Sequence, residues 1–318
     1  MDCAAVMNRL RGAFLALPTS YNDDLSVNVG ATGQYIDYVI DGGLRVGNAV
    51  LLVNGASGEF PVLNLDERLR TAEKAIQQAD GRIGLIVGAQ TLSTLEAIEI
   101  ARHAQSLGAD ALQVSPPFYY RATDDDVYEH LAAIAEAAPD VGIVYYNTYW
   151  EGYDLTIDRL ERFCQIPQLV SVKLATHGMK AYQSFILQFR DRLNMIDNQV
   201  TPVINKMLGG DGANLHPSIF WPQWGTKTWQ LLEDGAWDEA QDQVNRVLIP
   251  YYDIVGDIGA VTGGEGHIDK VALEMLGLPG GRNRPPTRPL PPAIRQRVRR
   301  FLLDVGVPGV QAEAVGAT

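Results

Sequence analysis

The sequence predicts an α/β fold, a (β/α)8 TIM barrel with a C-terminal helical extension. Three observations carry this. Short β-rich runs alternate with longer amphipathic runs eight times over about the first 215 residues, the pattern of a parallel sheet closed on itself and ringed by helices. No glycine-rich phosphate loop opens a helix after the first β-rich run, as a doubly wound nucleotide-binding sheet would require. The chain has 318 residues, more than the roughly 250 of one barrel, and the surplus follows the last β-rich run.

The first strand is expected at residues 12–17, followed by a helix at 28–41. The second covers 49–53 and runs into the loop Gly55-Ala56-Ser57-Gly58-Glu59; Asn64, with Glu67 three residues on, then has the form of a capping box. The third strand, 83–87, precedes a helix from about 93 to 107 that stops at Gly108. The fourth, 111–114, precedes the loop Ser115-Pro116-Pro117-Phe118-Tyr119-Tyr120 and a helix near 124–137. The fifth is 141–146, with a short helix near 157–163. The sixth is 169–173 and ends in Lys173. The seventh is 193–197, with a helix near 202–208, and the eighth is 212–215. Helical patterns at 231–254 and 270–276, a loop rich in Pro, Gly and Arg at 280–292, and a last helix complete the chain. In that helix Ile294, Val298, Phe301 and Leu302 form the buried face, so the arginines between 295 and 300 lie on the solvated one. We expect residues 1–225 to form the barrel with the active site, and 226–318 to pack on it without forming a second catalytic domain.

Composition narrows the function. An apolar fraction of 46% with 20% charged residues is that of an ordinary globular protein. A net charge of -12 argues against nucleic acid or an anionic membrane as partner, since both require a positive footprint. No apolar stretch approaches a membrane span, and the early apolar run 13–18 fits a first strand better than a signal peptide. Cys3 and Cys164 make no metal-binding spacing and suit a reducing compartment. A cytoplasmic location with no metal or other cofactor is therefore expected.

Barrel active sites form at the C-terminal ends of the strands, which selects the candidates. Lys173 closes an apolar strand. Burial lowers a lysine pKa, and a neutral amine can attack a carbonyl to form an imine. The alternative is a lysine that snorkels past the barrel rim or pairs with a carboxylate. Tyr146 ends the neighbouring strand and could transfer protons, or simply fill the top layer of the barrel. The turn Gly55-Ala56-Ser57-Gly58 could present amides to a carboxylate, or could equally be a tight strand-to-helix turn with no ligand. Glu59 could be a base, but a carboxylate holding that turn is the simpler reading. Asn214 and His216 end strand eight and could touch substrate; His216 could equally be a polar lid residue. His103 and His130 fall within helices and are expected at the surface or rim. His177 could lie near the site or only start a helix. Phe220, Trp221, Trp224 and Trp229 could line an apolar pocket, although packing of the C-terminal region explains them more simply.

Several of these segments, in this order, resemble the dihydrodipicolinate synthase / N-acetylneuraminate lyase family over about residues 10–300. The turn at Gly55–Glu59 is similar to the family's G-[ST]-[ST]-G-E motif, and Leu63-Asn64-Leu65-Asp66-Glu67-Arg68 to the segment that follows it. Pro116-Pro117-Phe118-Tyr119-Tyr120 resembles P-P-[YF]-Y, Tyr146-Asn147 the catalytic Y-N, and Val172-Lys173 the strand bearing the Schiff-base lysine. The resemblance implies Lys173 as nucleophile, Tyr146 and Tyr119 as proton-transfer residues, Ser57 as a grip on the substrate carboxylate, and a homotetramer or homodimer. Two positions depart from the synthases. Ala56 replaces the hydroxyl that links two tyrosines in a relay, so Tyr119 and Tyr146 lack their bridge. Glu151 stands where those synthases carry an arginine, and would repel a dicarboxylate. Asp197-Asn198-Gln199-Val200 also lacks the acidic pattern of the sialic acid lyases. The tyrosine loop without arginine faintly resembles the branch that dehydrates keto-deoxy-glucarate.

The expectation is therefore a class I lyase of aldolase type, joining Lys173 to pyruvate or another 2-oxo acid and acting on a non-dicarboxylate partner, such as an aldehyde. One alternative is a dehydratase of a keto-deoxy sugar acid working through the same imine. Another is a non-catalytic sensor of 2-oxo acids. The nearby Tyr149, Trp150 and Trp221 would suit an apolar acceptor, and Arg121 could replace the missing arginine.

Overall fold

The computed structural model describes residues 1–310. Within them eight parallel strands close into a barrel in sequence order. The strands are β1 (Gly12–Ala16), β2 (Ala49–Val53), β3 (Gly84–Gly88), β4 (Ala111–Val114), β5 (Gly142–Tyr146), β6 (Leu169–Leu174), β7 (Asn194–Asp197) and β8 (Gly212–Asn214). Gly12 pairs with Gly212 to close the ring. The chain opens with a helix the sequence did not predict, α1 (Cys3–Arg9). Asp2 caps it, accepting from the Ala5 amide at 3.1 Å. Cys3, Val6 and Met7 pack beneath the barrel interior, so α1 plugs the end opposite the expected site. Seven residues are too few for a periodic signal to stand out.

Helices α2 (Val29–Asp41), α3 (Leu65–Ala79), α4 (Thr94–Leu107), α5 (Asp124–Ala137), α6 (Ile157–Phe163), α7 (Met179–Phe189), α8 (Pro202–Met207) and α9 (Pro222–Glu233) follow the eight strands in turn. The capping box at Asn64 and Glu67 forms as expected, and Gly108 ends α4 in the left-handed conformation that glycine adopts without strain.

Strand alternation sorts the core into two parts. Leu10, Phe14, Ala16, Val50, Leu52, Ile86, Val144 and Ile196 fill the barrel interior. Their strand neighbours, among them Leu15, Leu51 and Met195, join the layer between sheet and helices. Successive side chains point to opposite faces of a strand. Because Val172, Leu174, Tyr145 and Ala213 belong to the outer layer, Lys173, Tyr146 and Asn214 point into the barrel. A register shift between β5 and β6 at Ile143/Val144 leaves Tyr146 paired with Lys173.

The C-terminal region contains α10 (Trp237–Gln243), a π-helical turn at Val244–Leu248, α11 (Ile249–Gly259), α12 (His267–Met275) and α13 (Pro292–Val305). The single helical pattern expected at 231–254 is broken by a turn at 234–236, where Gly235 adopts φ 69°. The boundary expected at residue 225 falls inside α9, the helix that completes the eighth β/α unit. Residues 311–318 of the expected extension lie outside the described residues. Phe220, Trp224 and Trp229 are core, and Trp221 is half-buried against it, so packing explains the aromatic set. Val298, Phe301 and Leu302 are the buried face of α13. His130, expected at the surface or rim, is instead buried, with Nδ1 2.9 Å from the Thr94 hydroxyl; it sits on the face of α5 that packs toward α4.

Candidate active site

Lys173 lies 5% exposed at the floor of a cavity of about 290 Å3 at the C-terminal end of the barrel. Its Nζ is 4.6 Å from the ring centroids of both Phe14 and Tyr146. Burial among these groups lowers its amine to about 8, opposed by the negative charge of Glu265. At neutral pH a usable fraction is therefore the free amine, the form that attacks a carbonyl. A lysine in water would hold far less.

Tyr146 forms part of the same wall. Burial, and next the charge of Glu265, push its phenol well above the ordinary tyrosine range. Asn198 Nδ2 donates to its hydroxyl at 3.5 Å, and Asn214 Nδ2 donates to Asn198 Oδ1 at 2.9 Å and to the Tyr252 hydroxyl at 3.2 Å. Asn198 follows β7 by one residue and shares the inward phase of Ile196. Val200 beside it adopts φ 59°, a conformation that costs a β-branched residue energy and is held only by its surroundings.

The structure brings Lys173, Tyr146, Ser57, Asn214 and His216 to one cavity. It does not bring the other expected residues there. Tyr119 is 77% exposed, with its ring against Tyr120. Gly55 and Ala56 shape the turn without lining the cavity: the Gly55 carbonyl accepts from the Phe60 amide at 3.3 Å and the Ala56 carbonyl from the Glu59 amide at 2.9 Å. Glu151 ends a short turn whose Tyr149 and Trp150 do line the cavity, and is itself exposed on the rim. His177 lies against Tyr149, with ring centroids 4.1 Å apart and the planes tilted by 50°. Glu59 is structural: buried, it receives Lys270 in an ion pair and the Arg284 amide at 3.1 Å.

Much of the remaining wall comes from the C-terminal region. Tyr251, Tyr252, Val255 and Ile258 of α11 line it, as do Glu265 and His267. The Ser57 hydroxyl donates to Glu265 Oε2 at 3.5 Å. Solvent reaches Glu265, yet protein crowds its carboxyl and raises its pKa, while Lys173 pulls it back. Gly266 lets this loop close on the β2 turn: it has φ 81°, and a Cβ there would stand 2.3 Å from the Ser57 carbonyl oxygen. Sequence reasoning missed Glu265 because it follows no strand. Its only local signal is the glycine-flanked stretch Gly263-Gly264-Glu265-Gly266.

Behind the wall Asp269 is fully buried. The Tyr251 hydroxyl donates to its Oδ1 at 2.9 Å, and Oδ2 lies 3.8 Å from His216 Nδ1. Burial raises Asp269 to about 8. Burial and the charge of Lys173 lower His216 to about 3. Among the described residues no group of three or more His, Cys, Asp or Glu is arranged to hold a metal ion, and no helix is long and apolar enough to cross a membrane.

Comparison with known proteins agrees with this geometry. The model of the dihydrodipicolinate synthetase family matches residues 9–304. A 4-hydroxy-tetrahydrodipicolinate synthase of Gluconacetobacter diazotrophicus is 30% identical over 300 residues, covering 93% of this chain and 97% of that protein. A dihydrodipicolinate synthase of Acinetobacter baumannii, solved in complex with pyruvate, superposes with a TM-score of 0.83 at 26% identity, over 94% of this chain and 99% of the other. The fold is shared with an N-acetylneuraminate lyase of Proteus mirabilis, TM-score 0.80 at 24% identity, over 94% of this chain and all of the other.

Proposed function

The chain belongs to the dihydrodipicolinate synthetase family and is a lyase, and from that premise we propose that Lys173 joins pyruvate or a related 2-oxo acid as an imine and that the second substrate is not a dicarboxylate. The observation that carries the first half is the buried Lys173 amine, lowered to about 8 at the cavity floor. The amine attacks C2 of the 2-oxo acid and water leaves. The resulting iminium withdraws electrons, so a bond one carbon further out can break or form. We assign the grip on the carboxylate to Ser57 of the β2 turn, which lines the same cavity. The pyruvate bound by the Acinetobacter relative supports the choice of ligand.

The second half rests on charge. No arginine is among the described lining residues, and Lys173 is the one lysine there. Glu265 stands at the mouth and Glu151 on the rim. Arg121 is exposed and does not line the cavity. A second carboxylate would meet repulsion, and a missing charged hydrogen bond alone costs roughly 1.5–3 kcal/mol. Tyr149, Trp150, Val255 and Ile258 offer an apolar surface. One observation favours the dehydratase alternative: Asn198, Gln199, Asn214 and His216 make one wall neutral and polar, which suits the hydroxyls of a keto-deoxy sugar acid. A sensor would leave the lowered amine without a use.

Incubation with pyruvate and borohydride, followed by peptide mapping, should label Lys173. Aldehydes and keto-deoxy sugar acids assayed beside aspartate semialdehyde should turn over at least tenfold better. Product analysis then separates carbon–carbon cleavage from loss of water. Labelling elsewhere would sink the first claim, and efficient turnover of aspartate semialdehyde the second.

We further propose a homotetramer or homodimer in a cytoplasmic setting. Tyr119 and Tyr120 are 77% and 82% exposed, and Leu92 and Leu95 are also open to solvent, large apolar side chains of the kind association covers. Light scattering at micromolar concentration should give a multiple of 34.8 kDa. A mass at the monomer value would refute the assembly.

A further inference from the structure

We propose that His216 is a second proton-transfer residue for the Lys173 adduct, with Asp269 as the positioning residue behind it. This rests on the reading of Lys173 given above. An imine formed there must lose a proton from C3 to become an enamine, or regain one, and the site is short of groups to do it. Tyr146 has a phenol too weakly acidic to spend much time as a base. Ala56 has no hydroxyl to relay its proton, and Tyr119 is not among the residues of the same chain that line the cavity. Glu265 is the remaining candidate, placed at the mouth with Ser57.

His216 is the other group placed for the task; burial and the charge of Lys173 lower its imidazole to about 3, and only an ionised Asp269 behind it supports the charge it would gain. It lines the same cavity as Lys173 and is 7% exposed. Its ring is nearly parallel to that of Tyr251, at 12° with centroids 6.1 Å apart. Its Nδ1 is buried without a hydrogen-bond partner, and so is Asp269 Oδ2, the atom facing it at 3.8 Å. Two orphaned atoms of complementary kind face each other in a buried wall, a little beyond hydrogen-bond distance. Catalytic hydrogen bonds are commonly long in an empty site and tighten when substrate binds. The other Asp269 oxygen accepts from the Tyr251 hydroxyl at 2.9 Å, which helps to orient the carboxyl. With Nδ1 directed at Asp269, Nε2 is left for the cavity. Asp269, raised to about 8, is ionised in about a tenth of the molecules at pH 7, and that form, with the proton on His216 Nδ1, is the one that leaves Nε2 free to accept.

The step balances as follows. His216 Nε2 accepts the proton from C3 of the Lys173 iminium. The C3–H electron pair becomes the C2–C3 double bond, and the iminium pair returns to nitrogen, giving the enamine. The charge on the imidazole is met by Asp269, which takes the Nδ1 proton. Reversal returns a proton to C3, and in deuterium oxide it returns a deuteron.

Exchange of the pyruvate methyl protons reads this step without knowledge of the second substrate. The wild-type chain should trap pyruvate with borohydride and exchange its methyl protons, followed by NMR in deuterium oxide. His216→Gln should trap pyruvate at the wild-type level but exchange it about a hundredfold more slowly, the low end of what a placed acid–base group contributes. Asp269→Asn should lose about tenfold, and added imidazole should restore exchange to His216→Ala, which a purely structural role would not allow. Trapping without exchange in the wild type, or undiminished exchange in a folded His216→Gln or Asp269→Asn chain, would overturn the proposal. So would loss of exchange in Glu265→Gln but in neither of those two. Absence of trapping in the wild type would overturn the reading of Lys173 itself, and this one with it.

Discussion

Replacing Lys173 with methionine is expected to abolish turnover, by about four to six orders of magnitude, the scale on which loss of a covalent nucleophile is felt, while making the protein more stable. The gain has a physical origin. Lys173 titrates at about 8 in the fold against an ordinary 10.5, so the fold disfavours the ammonium. Below about pH 8 the amine is protonated both folded and unfolded, and the folded state bears the whole penalty. Between 8 and 10.5 the unfolded chain binds more protons, so the wild type gains stability as pH rises and the penalty disappears. Methionine, of similar length and apolar, escapes it. The variant should be more stable by on the order of 1–3 kcal/mol at pH 7, an advantage that shrinks toward pH 10.5. Urea unfolding at pH 7 and 10 measures both values. A variant less stable than wild type at pH 7, or an advantage that grows with pH, would contradict this reading of the lysine.

A second large effect is expected far from any reacting atom. Lys270 and Glu59 form an ion pair with 1% and 4% of their side-chain surfaces exposed. Lys270 also donates to the Arg282 carbonyl at 3.2 Å and lies over the Tyr21 ring at 4.6 Å. Removing one partner leaves the other charge buried without compensation, which costs about 3–5 kcal/mol. Glu59→Gln and Lys270→Met should each lose that much. The double variant should lose clearly less than the sum, because neither charge then remains. Calorimetric melting of the three chains gives the comparison; additive losses would show that the pair is not coupled. Activity should fall in the single variants too. Glu59, at φ 57°, ends the turn that sets Ser57, and Lys270 adjoins Asp269 on α12, so the pair ties the β2 turn to the helix behind His216.

The sequence was legible wherever local pattern decides structure. Strand alternation and the rule that barrel sites form at C-terminal strand ends were enough to select Lys173, Tyr146, Ser57, Asn214 and His216, which share one cavity. Tyr119 and Glu151 were chosen by resemblance, and in the folded chain they lie on the surface and the rim. Position in a motif states which residue type occurs, not whether its loop closes on the cavity of its own chain or faces outward, where the proposed association would cover Tyr119. His130 was misjudged because helix periodicity gives a buried face but not which polar residues a neighbouring helix will cover.

By itself the sequence determined the eight β/α units and the inward phase of Lys173, because side-chain direction in a strand follows from a period of two. Only the tertiary structure decided how the cavity is closed. Glu265 reaches Ser57 across 208 residues of chain, and Asp269 stands behind His216. No local pattern encodes contacts between segments so far apart. They exist because packing α11 and α12 onto the barrel mouth buries apolar surface, and Glu265 and Asp269 are carried there with it. The same burial lowers Lys173 and raises Asp269 toward neutrality, since a charged group loses its hydration when neighbours from other parts of the chain displace water.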